Sequence, residues 1–569
     1  MRSSPFSMVI LCVILISTVS TPMRFAIADG EDWTTPYGHL EYSGLFYHAY
    51  WSLPKYPPSL NNILNCKMVT LSWRRLNPEE NLYKFDILRR MLEESKNEGK
   101  CLILRLKNHV VMRKSPWIAG DEACIPDWVI SKCNPPIVTM KNEDGMIIKV
   151  AVPWDECTTK EYLKFMRKFG EQGFLKDPNM CGVYIHGISS SFGEEFWFTR
   201  SAKSKLEEKG MTPSSLLKAY EVRLNEWARI AGKDVGKLVW VGSSAYSHFK
   251  GYGDVFKKLN LLAERLGMGI RGGALESPHR WMVGVKRAVV YDPESEKIKL
   301  NPRFKFNEKN QFGKVRYFGD EIEAIKLIGE NRDEIFKSSL FLAKFLGMNF
   351  LWVPNDTRFL LRNKEILEWF LKTDGGKSMR REIGIWLRED YVKCGSMMGD
   401  RCRRAKCSKV KNIEMGLHQI ETVGSHTRPV KGIIRNRLDY MDCVNLSGRR
   451  HVDYIARRTD VESGNRRIDL KMKSGFKKNL RERGGMLKIT FYDETKAIWT
   501  IKTPCNLDFP ILENRGTGGL KTVTFFIPPG KFCEDGFEDG TDMKLVVEND
   551  ENLIVKFVRF ILNPKGEIE

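Results

Sequence analysis

The apolar positions of this chain fall into short runs that alternate with amphipathic stretches over roughly the first two thirds of the sequence. Eight of these runs have the length of a buried strand, and several follow a glycine. The predicted strands are Tyr42–Tyr50, Lys67–Trp73, Cys101–Leu106, Cys181–Ile188, Leu238–Gly242, Gly267–Ala274, Val315–Gly319 and Asn349–Val353.

The segments between these strands carry a helical stripe of apolar residues, and most of them end at a glycine. The predicted helices are Tyr83–Gly99, Thr159–Gly173, Pro213–Gly232, Asp254–Leu266, Glu321–Glu330, Asp333–Leu346 and Asn363–Thr373. Strands that alternate with helices of this length require a parallel sheet, and eight such units indicate a closed (β/α)8 TIM barrel. A doubly wound fold is the alternative, but the chain has no glycine-rich phosphate turn after its first strand.

The pattern changes beyond Gly376, where short alternating or aromatic runs replace the helical stripes. These runs are Met486–Tyr492, Ala497–Lys502, Val523–Ile527, Met543–Val547 and Leu553–Ile561, separated by turn residues. Such spacing is typical of an all-β module, most simply a sandwich. We therefore predict a barrel domain over residues 29–376 and a β-sandwich-like accessory domain over residues 377–569.

The N-terminus has the features of a signal peptide. Arg2 precedes an apolar run from Met8 to Val19, and Ala26-Ile27-Ala28 offers a cleavage site. The run is too short to span a bilayer comfortably, although an uncleaved anchor is the alternative. We predict a signal peptide over residues 1–28 and a secreted or lumenal mature protein that does not associate with a membrane.

The 13 cysteines fit an oxidising compartment, because removal of Cys12 with the signal peptide leaves an even number. Two loop groups are the better disulfide candidates: Cys124, Cys133 and Cys157, and then Cys394, Cys402 and Cys407. Cys66, Cys101 and Cys181, at or beside strands, are predicted to be buried thiols. A zinc site in the second loop group is disfavoured, since it has no CxxC pair and no adjacent histidine. Asn355-Asp356-Thr357 and Asn445-Leu446-Ser447 are glycosylation sequons.

The formal net charge of +21 requires a physical account. Basic residues crowd Arg401–Lys411 and Arg449–Arg483. Nucleic acid is a common partner of basic proteins. We expect none here, because the chain is predicted to be secreted and has no recognisable nucleic-acid-binding module. An anionic polysaccharide, sulfated or uronic, would also be attracted by the positive charge. The alternative is a basic, solvated surface that has no ligand.

Acidic turns follow the fourth and seventh predicted strands, at Gly193-Glu194-Glu195 and Gly319-Asp320-Glu321-Ile322-Glu323. The carboxyl ends of barrel strands share one face, so acids from these two turns are expected to meet. Glycosidic cleavage needs one protonated carboxyl group and one ionised carboxylate. Helix capping would by itself explain at least one acid in each turn. We predict that one acid from each turn forms a catalytic pair.

The stretch Leu71-Ser72-Trp73-Arg74-Arg75-Leu76-Asn77-Pro78-Glu79-Glu80, followed by Tyr83-Lys84-Phe85, resembles the second-strand signature of clan A, the large barrel clan of retaining glycoside hydrolases. Ile125-Pro126-Asp127-Trp128 resembles the Pro-x-Trp loop after the third strand. The resemblance implies Glu194 as acid/base and Glu321 as nucleophile, with Glu195 and Glu323 as alternates. Gly193 stands where the clan usually has asparagine, which keeps open a non-catalytic glycan-binding or adhesion protein.

Further residues at or near the predicted strand ends are candidates for substrate binding. Tryptophan faces that could stack on sugar rings belong to Trp73, Trp128, Trp154, Trp197, Trp281 and Trp352. Polar candidates are Arg74, Arg105, His48, His109 and Glu276. Core packing and structural ion pairs are the alternative roles for these side chains.

The sequence therefore predicts a secreted glycoside hydrolase that acts on a polysaccharide or oligosaccharide, neutral or anionic, with retention of configuration. This chemistry requires neither a metal nor a cofactor. A polysaccharide lyase acting on uronates is a second alternative, favoured by the positive charge.

Overall fold

The structure is a computed structural model. It describes residues 44–46, 48–50, 53–113, 123–141, 147–185, 200–240, 251–271, 289–292, 297–300, 311, 316–322, 336, 339–341, 343–344, 348–372, 382–391, 409–434, 452–505 and 507–563. The acidic turn at residues 193–195, Trp197, Glu276, Trp281, Glu323 and the proposed signal peptide lie outside these ranges.

Eight strands form a closed parallel barrel. They are β1 (Gly44–Phe46 and His48–Tyr50), β2 (Cys66–Ser72), β3 (Cys101–Lys107), β4 (Met180–Ile185), β5 (Leu238–Trp240), β6 (Gly269–Arg271), β7 (Phe318–Glu321) and β8 (Phe350–Trp352). The two pieces of β1 close the barrel, since the first pairs with β8 and the second with β2. Each strand overlaps a predicted apolar run, so the predicted barrel fold is confirmed. β7 differs in one respect, because it continues to Glu321, which was predicted to begin a helix.

Helices follow the strands on the outside of the barrel. The longer ones are α1 (Asp86–Asn97), α2 (Glu156–Glu171), α3 (Pro213–Ala231), α4 (Gly253–Leu266) and α5 (Lys364–Lys372). Shorter α-helices are Pro58–Asn61, Trp73–Leu76, Asp127–Cys133, Arg200–Glu208 and Thr357–Arg362. Short 3₁₀ turns cover Phe174–Lys176 and Gly232–Lys237. Helix α3 begins with a capping box in which Thr212 and Ser215 exchange side-chain and backbone hydrogen bonds.

Two excursions interrupt the strand–helix alternation. After β3, strands Val110–Arg113, Ile137–Lys141 and Ile147–Ala151 form a small antiparallel sheet. Val289–Asp292 pairs with Lys297–Leu300 in an antiparallel ladder.

The C-terminal region contains twelve described strands in two antiparallel sheets. They are β9 (Glu382–Tyr391), β10 (Lys409–Met415), β11 (Leu417–Ile420), β12 (Arg428–Ile434), β13 (Val452–Arg458), β14 (Arg467–Met472), β15 (Gly485–Tyr492), β16 (Ile498–Lys502), β17 (Leu512–Glu513), β18 (Leu520–Ile527), β19 (Met543–Val547) and β20 (Ile554–Leu562). The larger sheet runs β10-β9-β13-β20-β15-β18, with β12 beside β13, and the smaller runs β11-β14-β19-β16-β17. The α-helix Ser474–Arg483 and the 3₁₀ turn Val461–Ser463 interrupt the strands.

The two sheets share one core, which is the defining feature of a sandwich. Side chains such as Ile385, Leu487 and Val558 from the larger sheet pack with Trp499 and Leu545 from the smaller. The predicted all-β sandwich-like module after the barrel is therefore confirmed.

The outer face of the larger sheet packs against the barrel. Phe341 and Trp369 from the barrel share a hydrophobic cluster with Trp386 and Phe557 from the sheet. The Phe341 and Phe557 rings are 4.9 Å apart between centroids. This contact buries aromatic surface from both parts of the chain.

The cysteines correct one prediction. Cys66 and Cys101, expected to be buried thiols, form a disulfide between the first residues of β2 and β3. The hydrophobic pattern could not show this pairing, because it does not fix the register that places the two residues side by side. Disulfides also join Cys133 to Cys157, inside the predicted loop group, and Cys505 to Cys533.

Many of the basic residues in the C-terminal crowd have acidic partners. Arg458 pairs with Glu462, Arg466 with Asp550, Arg467 with Asp469, Lys477 with Asp542, and Arg481 with Glu534. The positive charge in this segment is thus partly neutralised within the sandwich. No helix within the described ranges is long and apolar enough to cross a membrane.

Candidate active site at the barrel mouth

Glu321 is the last residue of β7 and therefore lies at the carboxyl end of the barrel. Its register partner on β8 is Trp352, and it is 6% exposed. Gly319, two residues earlier, allows the close approach of β8, because a Cβ atom there would lie 2.6 Å from the carbonyl oxygen of Phe350. The sequence Phe-Gly-Asp-Glu thus places a carboxylate at the mouth of a tightly packed barrel.

A buried arginine holds this carboxylate. Arg271 ends β6, the neighbouring strand, and its guanidinium forms an ion pair with Glu321. Both side chains are almost fully buried. A neighbouring cation favours the ionised form of a carboxyl group, which is the form that a nucleophile or a base requires.

A second arginine faces the same aromatic ring. The guanidinium of Arg105 lies 5.3 Å from the Trp352 ring centre, and that of Arg271 lies 5.5 Å from it. Arg105 is 2% exposed and occupies β3, next to Tyr184 on β4. The described part of the mouth therefore combines two arginines, one carboxylate and a partly buried tryptophan.

Two tyrosines lie beneath this group inside the barrel. The hydroxyl groups of Tyr184 and Tyr317 share a hydrogen bond of 2.8 Å. Burial raises the pKa of Tyr184 to about 12, although the nearby charge of Arg271 opposes the shift. Tyr184 is therefore a neutral hydrogen-bonding group near pH 7 and a poor proton acceptor.

The other candidates near β2 and β3 occupy packed positions. Trp73 is 0% exposed and packs against Tyr162 and Phe165. Trp128 meets Trp73 edge-on at 6.5 Å and donates its indole N–H to the Asn77 carbonyl at 3.1 Å. Both tryptophans are held by contacts with other protein groups, so we assign neither of them a role in substrate binding.

Arg74 and His109 also have protein partners. Arg74 is half-exposed and forms an ion pair with Asp127. His109 is 1% exposed and contacts Arg223 through its Nε2 atom. Burial, together with the charge of Arg223, holds the pKa of His109 well below its usual value. His109 is a neutral packing residue between the loop after β3 and α3.

Other candidates are distributed as follows. His48 lies in β1, Trp352 is at the mouth, and Trp154 donates its indole N–H to the Lys209 carbonyl at 2.7 Å. Glu194, Glu195, Glu323, Trp197, Trp281 and Glu276 lie outside the described residues.

Arg271 was not among the candidates selected from the sequence. The sequence feature that identified Arg105, a charged residue near the end of a predicted buried strand, is also present at Arg271. A charged residue at the carboxyl end of a barrel strand lies at the mouth. An opposite charge at the end of the next strand, here Glu321, is the additional signal that could have identified Arg271.

No protein-family model and no curated protein matches the sequence. Among solved structures, the catalytic domain of a β-amylase from Paenibacillus polymyxa aligns over 57% of this chain and 94% of its own, with 12% identity and a TM-score of 0.34. An exo-β-1,4-mannosidase from Opitutaceae bacterium strain TAV5 aligns over 59% and 61%, with 11% identity and a TM-score of 0.32.

A xylanase from Thermotoga petrophila aligns over 58% of this chain and 95% of its own, with 12% identity and a TM-score of 0.31. These neighbours are glycoside hydrolases, but with scores this low we base no argument about mechanism or substrate on them. The class that the fold itself defines is a TIM barrel followed by a β-sandwich.

Proposed function

We propose that this protein is a retaining glycoside hydrolase that cleaves O-glycosidic bonds of a polysaccharide or oligosaccharide. The observation that supports the proposal best is Glu321, a buried carboxylate paired with Arg271 at the carboxyl end of β7. In a retaining mechanism one carboxylate attacks the sugar and a second carboxyl group protonates the leaving oxygen. We assign the first role to Glu321 and the second to Glu194, which follows β4 in the sequence.

The substrate that we propose carries negative charge. Arg105 and Arg271 place two cations at the mouth against the single carboxylate of Glu321 among its described residues. Arginine suits carboxylate and sulfate groups because its N–H donors form a planar fork. A uronic or sulfated sugar would therefore be oriented by Arg105 while Trp352 offers an aromatic face.

We further propose the organisation inferred from the sequence. Residues 1–28 would act as a signal peptide, residues 29–376 as the catalytic barrel and residues 377–569 as an accessory domain of a secreted or lumenal protein. Asn355 is exposed and would be available for glycosylation.

Activity measurements on neutral and acidic polysaccharides test the proposal. We expect release of reducing ends, and a loss of at least about a hundredfold in kcat for Glu321→Gln and for Glu194→Gln. Glu171→Gln, on the exposed end of α2, is the matched control and should retain full activity. Azide should rescue Glu194→Ala with a product of retained configuration, and Glu321→Ala with a product of inverted configuration.

A polysaccharide lyase is the second candidate, favoured by the two arginines, which could neutralise a uronate carboxylate. The raised pKa of Tyr184 disfavours that residue as its base. Products with an unsaturated, ultraviolet-absorbing end would identify a lyase and contradict hydrolysis. Saturable glycan binding without any product would favour the non-catalytic alternative.

A further inference from the structure

A cleft of about 120 Å³ lies where the barrel meets the larger C-terminal sheet, and its lining includes none of Arg105, Arg271, Glu321 and Trp352. The end of Thr357–Arg362 and the start of α5 form its barrel side, and β15, β18 and β20 form its sheet side. Residues that matter for its chemistry are Phe341, Arg362, Thr490, Thr522, Phe557 and Arg559.

Arg559 is the unusual residue of this cleft. It is 8% exposed, and its Nη1 atom is buried without a hydrogen-bond acceptor among the described residues. An oxygen of Glu382 lies 3.9 Å from this nitrogen, beyond hydrogen-bond distance. The other Glu382 oxygen accepts the indole N–H of Trp369 at 2.5 Å. The ion pair with Glu382 balances the charge of Arg559 but leaves its Nη1 N–H group without a hydrogen bond, which an anionic ligand in the cleft would supply.

The charge around the cleft is also positive. Arg362 is an exposed second cation at its edge. The acidic residue of the lining, Glu365, forms an ion pair with Lys488 at 2.9 Å. An entering ligand therefore meets two guanidinium groups, of which Arg559 lies 3.9 Å from the buried Glu382 carboxylate, and a Glu365 carboxylate that is already paired with Lys488.

The remaining lining suits a polyhydroxylated molecule. The Thr490 and Thr522 hydroxyl groups share a hydrogen bond of 2.9 Å on neighbouring strands β15 and β18. Each hydroxyl group can donate one hydrogen bond and accept others, so the pair can also engage ligand hydroxyl groups. Phe341 and Phe557 also line the cleft, but they are only 1% and 7% exposed and pack on each other, so they offer a sugar ring little surface.

We propose that this cleft binds a uronic acid unit of an acidic saccharide, independently of hydrolysis at the barrel mouth. Its carboxylate would meet Arg559 and Arg362, and its hydroxyl groups would meet Thr490 and Thr522. The cleft would thereby hold an acidic chain on the protein at a second point.

Calorimetric titration of the full chain with a galacturonic acid oligomer tests this inference. The chain carries Glu194→Gln, which removes the proposed acid and leaves the buried pair of Arg271 and Glu321 intact, so that the probe is not consumed. We expect saturable binding that Arg559→Gln weakens by about tenfold or more, since a charge-assisted hydrogen bond is lost. The exposed variants Arg362→Gln and Thr522→Ala should each weaken it severalfold, which keeps the test valid if Arg559→Gln does not fold.

Two matched controls lie nearby. Thr524→Ala, two residues along β18 and outside the cleft lining, and the exposed Arg515→Gln should leave the affinity unchanged. A neutral galactose oligomer should bind about tenfold more weakly or not at all.

Several results would overturn the inference. One is equal binding of the neutral and acidic oligomers. Another is affinity that Arg105→Gln abolishes but Arg362→Gln and Thr522→Ala leave intact, which would assign the binding to the barrel mouth. If the folded variant does not bind the oligomer while the wild-type chain hydrolyses a glycan, the cleft is rejected and the proposed function stands.

Discussion

The ion pair between Arg271 and Glu321 joins two neighbouring barrel strands at the point where each ends. Its burial makes it a different kind of contact from the surface pairs that cover the helices. Two opposite charges taken out of water stabilise each other only as long as both are present. The pair therefore couples the stability of the barrel to the orientation of the proposed nucleophile.

We predict that Arg271→Met lowers the free energy of unfolding by about 3–5 kcal/mol, because it leaves the Glu321 carboxylate buried without its cation. Chemical denaturation measures this change. Arg74→Met removes the half-exposed pair with Asp127 and should cost less than about 1 kcal/mol. Equal losses in the two variants would mean that the Arg271 pair is not buried in solution.

His109 predicts a specific pH dependence of stability. The pKa of His109 in the folded protein is held well below 6.5. Just below pH 6.5, this imidazole is therefore protonated in the unfolded chain and neutral in the folded chain. Stability from this residue is complete above pH 6.5 and falls below it by about 1.4 kcal/mol per pH unit. Besides Arg223, the Tyr162 ring faces the imidazole, with 6.4 Å between ring centroids.

Unfolding free energies measured from pH 7 downward test this expectation. His109→Gln should flatten the decline between pH 6.5 and 5 relative to the wild type. An unchanged slope in His109→Gln would show that this imidazole already titrates normally in the folded protein.

At the level of strands and helices, the barrel was predictable because its strands are continuous apolar runs between amphipathic helices. The first strands of the sandwich were not predicted, since charged residues such as Arg457 and Asp469 occupy buried positions within them. The helix Ser474–Arg483 was hidden by its basic composition. The pairing of Cys66 with Cys101 depends on strand register, which a hydrophobic pattern does not contain.

The positions of three candidate residues were also predictable, whereas their roles stay predictions. Glu321, Arg105 and Trp352 were selected because they lie near the ends of apolar runs, and the structure places all three at the mouth. Burial of Trp73 and His109 depends on tertiary contacts with α2 and α3, which sequence position alone cannot reveal.

The junction of β7 and β8 predicts a strict requirement for glycine. A methyl group at Gly319 would lie 2.6 Å from the Phe350 carbonyl oxygen, a backbone atom that cannot rotate away. We expect Gly319→Ala to lower the free energy of unfolding by about 1–3 kcal/mol and to displace Glu321. Thermal unfolding measures the first effect and loss of glycan hydrolysis the second.

Gly475 provides the comparison for this substitution. It lies in the helix Ser474–Arg483, and a Cβ atom there meets nothing within 4 Å. Gly475→Ala should therefore be neutral or stabilise the protein by up to about 1 kcal/mol. If Gly319→Ala were equally neutral, β7 and β8 could not be packed as closely at Gly319 as the structure shows.

In the molecule as a whole, the barrel and the larger sheet share an aromatic cluster. Residues 37–569 accordingly form one compact unit. An apolar contact of this kind favours joint unfolding, because separation would expose large aromatic side chains to water.

We predict that Phe557→Ala lowers the free energy of unfolding by about 3–5 kcal/mol and separates the unfolding of barrel and sandwich into two calorimetric transitions. Phe526→Ala, on the same sheet but 45% exposed, should cost much less and keep a single transition. A single transition in both variants, with similar losses, would argue against coupling through the Phe341–Phe557 contact.

We propose above that Glu194 and Glu321 act as a pair across the barrel mouth. The most direct test is the distance between their carboxyl groups in a crystal structure of the protein. We predict a separation of about 5–5.5 Å across an open pocket, the spacing of retaining enzymes. A separation of about 6.5–9.5 Å would contradict retention and indicate inversion. Failure of any acid near Glu194 to approach Glu321 would contradict the catalytic account itself.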